Sequence, residues 1–265
     1  MRTGGVQDDD TFDLLQRGRF GVLQPRAGHR SGLDALLLAA AVPPDARGTL
    51  LDLGAGSGAV AFAALSSAPD LRAVLLERDS ASCARAMAAL AHEANGHLRG
   101  RVLVVRGDVA SAPVRRDGFD RVVANPPFND ATHRRSPDAG RAAAHAGDDG
   151  LLLEWWRAAA AALRPGGEVA FVVRASSWPV LAGSAPLEER TLGDLRLLPV
   201  HPRAGAPAKR VLLLARKGAR AAPSILPPLV LHRTDGRFTE EAEAVLNGER
   251  SLYRTGAPSP RGPSL

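Results

Sequence analysis

From residue 49 to residue 216 the sequence alternates between short apolar runs and longer stretches with helical character. The apolar runs have few alternating polar residues, which is typical of parallel strands that are buried on both faces. The seven runs occupy residues 49–53, 71–77, 101–109, 119–124, 168–175, 194–200 and 210–216. Strands that alternate with helices build a layered α/β fold. The pattern therefore predicts a doubly wound, mostly parallel sheet of seven strands with helices on both faces.

The fourth run ends in Asn125-Pro126-Pro127-Phe128. Two prolines cannot continue an interior strand, so the chain must leave the sheet in an extended turn. The turn lies at the carboxyl end of a strand, where open α/β sheets bind ligands. The Asn125 side-chain oxygen and the Pro126 carbonyl are fixed acceptors, and Phe128 supplies a flat face, so together they suit a planar ring that bears an amino group. The alternative is a loop closed by a hydrophobic plug.

The first run ends in Asp52-Leu-Gly-Ala-Gly-Ser-Gly58, with glycines at 54, 56 and 58. A carboxylate just before this turn would repel a phosphate, but it suits a cationic ligand such as the ammonium or sulfonium of S-adenosylmethionine. Glu77 ends the second strand, where it can accept hydrogen bonds from ribose hydroxyls. Asp108 ends the third strand and can accept from an adenine amino group, with the Val109 backbone beside it. The alternative for both acids is a solvated charge at a strand end.

Composition limits the class of protein. The net charge is +6 at pH 7, which favours a polyanionic partner such as nucleic acid. Cys83 is the only cysteine, and no His, Cys or Asp cluster has the spacing of metal ligands, so we expect neither a disulfide nor a metal. We see no signal peptide and no apolar run long enough to span a bilayer, and we expect a cytoplasmic protein.

Taken together, these motifs make the sequence resemble the class I S-adenosylmethionine-dependent methyltransferases. LDLGAGSG (51–58), LLERD (75–79), RGDV (106–109) and NPPF (125–128) match the motifs of that superfamily in order and spacing. The flanks at 24–40, 207–218 and 229–246 look like those of bacterial tRNA adenine-N6 methyltransferases, which modify the adenine beside the anticodon of a valine tRNA. The resemblance runs from about residue 11 to residue 250. It implies a Rossmann-like methyltransferase fold whose last strand is antiparallel.

The resemblance also implies a mechanism and a set of site residues. S-adenosylmethionine is the methyl donor and S-adenosylhomocysteine the product. Asn125, Pro126 and Phe128 are then catalytic, because they hold the amino group and stack on the base. The cofactor-binding residues implied are Asp34, Asp52, Gly54, Gly56, Gly58, Glu77, Asp108, Val109 and Asn125. No general base is required.

An RNA substrate needs cationic contacts and an unstacked base, which an anticodon loop offers. Residues 129–148 lack clear periodicity and are expected to form a long loop. The candidate contacts to a tRNA anticodon loop are Arg134, Arg135, Arg141, Lys209 and Arg210. For each of them the alternative is an ordinary solvated charge.

Several substrates remain open at this point. NPPF also occurs in ribosomal RNA guanine-N2 methyltransferases, and the adenine-N6 enzymes more often have Tyr where this chain has Phe128. Protein glutamine methyltransferases also use Asn-Pro-Pro with an aromatic residue, but usually carry a larger N-terminal recognition domain. A small-molecule methyltransferase, or an RNA-binding module that keeps only the fold, would be further possibilities.

The expected domain organisation is a single methyltransferase domain between two disordered ends. Its parts are a disordered N-terminus at 1–10, the domain at 11–250 and a disordered tail at 251–265. Within the domain, the expected parts are a hairpin and helix cover at 11–48, the core sheet at 49–217 and a C-terminal strand and helix at 229–250.

Overall fold

The computed structural model describes residues 10–26, 30, 32–127, 139–184 and 192–252, with the backbone alone for 139–148. The strands are β1 (Asp10–Leu15), β2 (Phe20–Pro25), β3 (Gly48–Leu53), β4 (Leu71–Glu77), β5 (Val102–Arg106), β6 (Phe119–Ala124), β7 (Leu163–Arg174), β8 (Leu192–Arg203), β9 (Arg210–Lys217), β10 (Ser224–Ile225) and β11 (Leu229–His232). The α-helices are α1 (Leu33–Ala39), α2 (Ala59–Ser67), α3 (Ser80–Ala91), α4 (Ala139–Ala162), α5 (Trp178–Ser184) and α6 (Glu240–Leu246). Two 3-10 helices span Glu93–Leu98 and Val109–Ser111.

The main sheet has nine strands within the described residues, in the order β10-β8-β9-β7-β6-β3-β4-β5, with β11 also paired to β8. Strands β5, β4, β3, β6 and β7 run parallel to one another, while β9 is antiparallel to both β7 and β8. The predicted doubly wound sheet is therefore confirmed, and the last of its seven predicted strands is the antiparallel one. The short strands β10 and β11 extend it at the β8 edge.

The core lies on both faces of this sheet because successive residues of a strand point to opposite sides. Leu50 and Leu51 of β3 are both fully buried, and each belongs to a different hydrophobic cluster. The cluster around Leu50 includes α1, α2 and α6, whereas that around Leu51 includes α4 and α5. Full burial of each such leucine contributes about 1.5–3 kcal/mol. Helices on both faces leave the carboxyl ends of the strands open between them.

The N-terminal hairpin β1–β2 forms as predicted and is fixed to the core by one buried amide. Asn95, which is fully buried, accepts from Gly21 N at 2.9 Å and donates to Gly21 O at 2.7 Å. The same amide donates to Ala89 O at the end of α3, at 2.8 Å. Asp10 opens β1 and forms an ion pair with Arg85 of α3 at 3.0 Å. The prediction of a disordered N-terminus is therefore wrong at Asp10, and residues 1–9 lie outside the described part.

Three further expectations change. The long loop predicted at 129–148 is wrong from Ala139, where α4 begins, because the alanine-rich segment there has high helix propensity despite its weak periodicity. The segment at 219–228, whose proline- and alanine-rich composition predicts a linker between the core sheet and the C-terminal strand, contains β10, which at two residues is too short to show a strand pattern. The tail predicted to be disordered from residue 251 is ordered through Leu252, which is buried and donates its N–H to Ala40 O at 2.7 Å.

Candidate active site

The register of three adjacent strands brings the predicted site residues to one edge of the sheet. Leu53 at the end of β3 pairs with Leu76 of β4 on one side and with Ala124 of β6 on the other. The next residues along these three strands are Gly54, Glu77 and Asn125. They leave the sheet side by side. From β3 the chain continues to β4 and β5 on one side of the sheet and then crosses to β6 and β7 on the other side, so the strand order reverses at β3. This point is where doubly wound sheets bind their ligands.

A cavity of about 940 Å³ opens at this edge. The predicted residues that line it are Asp34, Asp52, Gly54, Gly56, Glu77, Asp108, Val109, Asn125 and Pro126. Further lining comes from the N-terminal cover, from α4 and from the β8–β9 turn. Gly58 is the one predicted cofactor-binding residue in the described part that does not line the cavity, and Phe128 lies outside the described residues.

The glycine loop, residues 54–58, needs glycine for two separate reasons. Gly54 has a φ of +66°, and a Cβ there would lie 2.2 Å from the Trp155 ring. Gly58 has a φ of +91°, occupies the N-cap of α2, and leaves room for Leu75 and Phe62. Gly54 thus allows a tryptophan of α4 to pack against the loop. Gly58 starts the helix and packs inside the core, so its role is structural.

Asp52 caps α2 from a buried position. It is 1% exposed, and its Oδ2 accepts from Ala61 N at 3.2 Å, in the first turn of α2. The N-cap residue itself is a glycine with no side chain to do this. Burial raises the pKa of the Asp52 carboxyl to about 8; the Ala61 hydrogen bond opposes this rise and the charge of Glu77 adds to it. At neutral pH this carboxyl is therefore mostly protonated in the ligand-free protein, and a cation in the cavity would favour its ionised form.

Glu77 connects the glycine loop to the turn after β4. Its Oε2 accepts from Gly56 N at 2.9 Å and its Oε1 accepts from Asp79 N at 2.7 Å. A carboxylate has about four lone-pair positions, so two bonds of this kind leave acceptor capacity on each oxygen. The side chain can hold the loop in shape and still accept hydroxyl donors from a ligand. Both the structural and the ligand-binding interpretations of Glu77 are therefore compatible with its geometry.

Asp108 begins the short 3-10 helix that contains Val109. Its Oδ1 accepts from Ala110 N at 3.0 Å, and its Oδ2 lies 3.8 Å from Nη1 of Arg78 in an exposed ion pair. Val109 is buried at the cavity wall. The cap orients the end of β5 so that a carboxylate and a backbone segment face the cavity together.

Asn125, Pro126 and Pro127 line the cavity together with Leu151 and Trp155 of α4. Among the described residues, no side chain or backbone group forms a hydrogen bond with the Asn125 amide. Its oxygen is therefore not committed to a structural role, which favours the ligand-binding interpretation of the turn over the hydrophobic plug.

The N-terminal cover closes the cavity through an ion pair that spans most of the sequence. Asp34 of α1 accepts from Arg210 Nε of β9 at 3.0 Å, and both residues line the cavity. Arg30 also lines the cavity, and it forms an ion pair with Asp13 of the hairpin. Asp34 therefore lines the cavity, but its carboxylate has a protein partner.

The candidate RNA contacts are only partly described. Lys209 and Arg210 line the cavity. Arg134 and Arg135 lie outside the described residues, and for Arg141 the structure describes only its backbone, in α4.

Trp155 and Arg174 are among the lining residues that sequence reasoning missed. Trp155 sits in an apolar helix, where an aromatic residue is normally part of the core, and it is indeed 9% exposed. Arg174 ends β7, so the rule that ligands bind at the carboxyl ends of strands would have included it. Within the described residues no group of three or more His, Cys, Asp or Glu is arranged to hold a metal ion, and no helix is long and apolar enough to cross a membrane.

Comparison with solved structures finds close likeness to methyltransferases. A crystal structure from Agrobacterium tumefaciens, described as a predicted O-methyltransferase, superposes with a TM-score of 0.71 at 28% identity and covers 84% of this chain and 100% of its own. The T. thermophilus 16S rRNA N2 methyltransferase RsmC, in complex with AdoMet and guanosine, has a TM-score of 0.53 at 25% identity. That match covers 78% of this chain and 50% of RsmC. A search of curated proteins gives no match.

The family comparison covers the segment that contains the candidate site residues. The model of the methyltransferase small domain matches residues 31–180, which include the glycine loop, both strand-end acids and the Asn-Pro-Pro turn. The match spans more than half of the sequence. The chain therefore belongs to the methyltransferase small domain family and is a class I methyltransferase that uses S-adenosylmethionine.

Proposed function

We propose that this enzyme methylates an exocyclic amino nitrogen of a nucleobase in RNA, with N6 of adenine in tRNA as the leading candidate. The observation that carries the proposal is the position of Asn125 and Pro126 at the end of β6, beside the glycine loop and in the same cavity. Two oxygen acceptors at that point match the two N–H donors of an amino group on a planar ring.

The residues of the cavity fit S-adenosylmethionine, which supplies an electrophilic methyl group on a sulfonium when bound. The cavity has a buried carboxyl at Asp52 for positive charge, an acceptor at Glu77 for ribose hydroxyls, and Asp108 with Val109 for the adenine. Backbone groups of Gly54 and Gly56 would allow close approach of the cofactor. We assign Asp34 to the rim of this site and Gly58 to its support.

The proposed mechanism depends on orientation of the acceptor nitrogen. An aryl amine is a weak nucleophile because its lone pair is delocalised into the ring. The Asn125 side-chain oxygen and the Pro126 carbonyl would each accept one N–H, which lets the nitrogen become pyramidal and directs its lone pair into the cavity. Correct orientation alone can lower a barrier by about 7–11 kcal/mol. The amine need not lose a proton before it attacks, so no basic side chain is assigned.

A base can reach such a cavity only when it is unstacked, so the RNA would be single-stranded there or have a flipped nucleotide. Phe128 is proposed to stack on the base, a contact that contributes about 1–3 kcal/mol in single-strand binders. Lys209 and Arg210 at the cavity, and Arg134, Arg135 and Arg141 in the segment after the Asn-Pro-Pro turn, are the proposed contacts to an anticodon loop. Such a substrate would place the reaction in the cytoplasm.

The second candidate is N2 of guanine in ribosomal RNA. It is favoured by the likeness to RsmC, which is a 16S rRNA N2 methyltransferase and whose solved complex contains guanosine. An exocyclic amino group on a purine is common to both candidates, so Asn125 and Pro126 would act in the same way. A protein glutamine amide presents the same two N–H donors and is the third candidate.

The test is transfer of a labelled methyl group from S-adenosylmethionine to total tRNA, to ribosomal RNA and to total protein, followed by mass spectrometry of the nucleosides. We expect N6-methyladenosine from tRNA. N2-methylguanosine from ribosomal RNA would select the second candidate. Label in protein alone would reject a nucleobase acceptor.

A further inference from the structure

Three basic residues line the cavity near the end of β7 and the start of β9, and we call them the basic cluster: Arg174, which ends β7, Lys209, which directly precedes β9, and Arg210, which begins it. Arg174 and Arg210 are direct partners in the antiparallel pair β7–β9. Directly opposed residues have Cβ atoms about 5 Å apart, and like charges in such a pair destabilise a sheet.

Two further features define this cluster, one of Arg210 and one of Lys209. The carboxylate of Asp34 offsets part of its charge by binding Arg210 at 3.0 Å. Lys209 is exposed, and its ammonium group forms no ion pair with any residue that the structure describes. The backbone of Lys209 is nevertheless held, because its carbonyl accepts from Ala175 N at 3.2 Å and its N–H donates to Val200 O at 3.1 Å. The cation is therefore fixed at its base and accessible at its tip.

The order of the strands separates the basic cluster from three acids that line the same cavity. Along the sheet the sequence of strands is β9, β7, β6, β3, β4, β5, so Asn125 on β6 lies between the basic cluster and the acids of the cofactor side. Those acids are Asp52, Glu77 and Asp108. Neighbouring strands are about 4.8 Å apart. The carboxyl end of β7 is therefore roughly 5 Å, and the start of β9 roughly 10 Å, from the carboxyl end of β6. A cationic cofactor matches these acids, and an anionic substrate matches the basic cluster.

We propose that the basic cluster is a phosphate-binding subsite, which receives a phosphate of the same nucleotide whose base is held at Asn125. The proposal rests on the proposed action on a nucleobase. Guanidinium groups bind phosphate oxygens in pairs, and an ammonium group binds them as a point charge. Phosphate contacts of this kind set the position of a nucleic acid without reading its sequence. The subsite would therefore set how far the base enters the cavity.

The variants Lys209→Gln and Arg174→Gln, singly and combined, test the subsite. The matched control is Arg72→Gln, which removes the same charge from an exposed position at the start of β4, at the opposite edge of the sheet. We expect each cluster variant to raise KM for RNA about tenfold, the scale of one charge-assisted hydrogen bond. The slope of log affinity against log salt should fall by about 0.7 for each phosphate of a single strand that the variant no longer neutralises. Affinity for S-adenosylmethionine should stay unchanged.

A second measurement separates this proposal from the RNA assignment. Binding of adenosine and guanosine monophosphates is compared with binding of the two nucleosides, with S-adenosylhomocysteine present. A preference for the monophosphate that disappears in the cluster variants and persists in Arg72→Gln supports the subsite, even if no RNA is methylated. Equal binding of nucleotide and nucleoside by the unmodified protein overturns the proposed subsite. It is also overturned if the cluster variants have the same KM for RNA and the same salt slope as Arg72→Gln.

Discussion

The buried carboxyl of Asp52 should make cofactor binding depend on pH. In the ligand-free protein its pKa is raised from 3.8 to about 8, first by burial. The group is therefore mostly protonated at pH 7. A bound sulfonium or ammonium favours the ionised form, because an opposite charge nearby lowers the pKa of a carboxyl. Cofactor binding should then expel the proton.

The size of the effect follows from the fraction of Asp52 that is ionised before binding. With a pKa of about 8 this fraction is roughly one-half at pH 8, one-tenth at pH 7 and one-hundredth at pH 6, since each pH unit below the pKa is about tenfold. If the complex contains only the ionised form, affinity for S-adenosylmethionine should rise about fifty-fold between pH 6 and pH 8 and then level off. Binding at pH 7 should release about 0.9 proton.

Isothermal titration calorimetry in two buffers of different ionisation enthalpy measures this proton directly. The variant Asp52→Asn keeps an oxygen that can accept from Ala61 N but has no ionisable proton. It should bind the cofactor with no proton release from this position, and its affinity should not rise from pH 6 to pH 8. Any titration of the ligand's own amino group is common to both proteins and cancels in the comparison.

Stability gives an independent check on the same pKa. The folded pKa lies above the unfolded value, so Asp52 contributes stability that is complete below about pH 4 and is lost as pH rises towards 8. The difference in unfolding free energy between the unmodified protein and Asp52→Asn should change in that window. Equal proton release by both proteins, together with parallel stability curves, would refute the reasoning.

Three further variants test the site and its supports. Asn125→Ala should lower the rate of methyl transfer at least about a hundredfold, which is the scale of losing one positioned polar group, while the dissociation constant for the cofactor changes by no more than a few fold. Loss of methyl transfer together with loss of cofactor binding would show that Asn125 is structural. Gly54→Ala should cost about 1–3 kcal/mol of stability, because its Cβ would lie 2.2 Å from the Trp155 ring at a φ of +66°. The double variant Gly54→Ala/Trp155→Ala should lose less than the sum of the two single losses, and strict additivity would exclude this clash. Asn95→Ala should lower the free energy of unfolding in urea by about 2–3 kcal/mol, because the buried backbone N–H and C=O of Gly21 lose their partner. An unchanged urea midpoint would mean that other contacts hold the hairpin.

Sequence reasoning predicted the sheet and the acidic and amide residues at its edge. The strands are continuous apolar runs, and each is followed within a few residues by the group that faces the cavity. Because parallel strands end at the same edge, the separate positions of Glu77, Asp108 and Asn125 already indicated one site. The same rule applied to β7 would have included Arg174.

Roles that depend on distant packing could not be predicted in this way. Sequence reasoning proposed Asp52 as a partner for a cation, but its function as the cap of α2 depends on Gly58 lacking a side chain. The space above Gly54 is occupied by Trp155, which belongs to a helix about a hundred residues later. The ten residues of α4 from Ala139 have helix propensity but no clear apolar stripe, so their local pattern did not distinguish helix from loop.

The sequence by itself indicated the seven main strands of the sheet and the Asn-Pro-Pro turn, because those depend on the neighbours of each residue along the chain. Only the tertiary structure decided which charges share the cavity. Asp34 and Arg210 are 176 positions apart and form one ion pair, and Arg174 meets Arg210 through the register of an antiparallel pair. Such contacts arise from how helices and strands pack, and a linear pattern of residues does not contain that information.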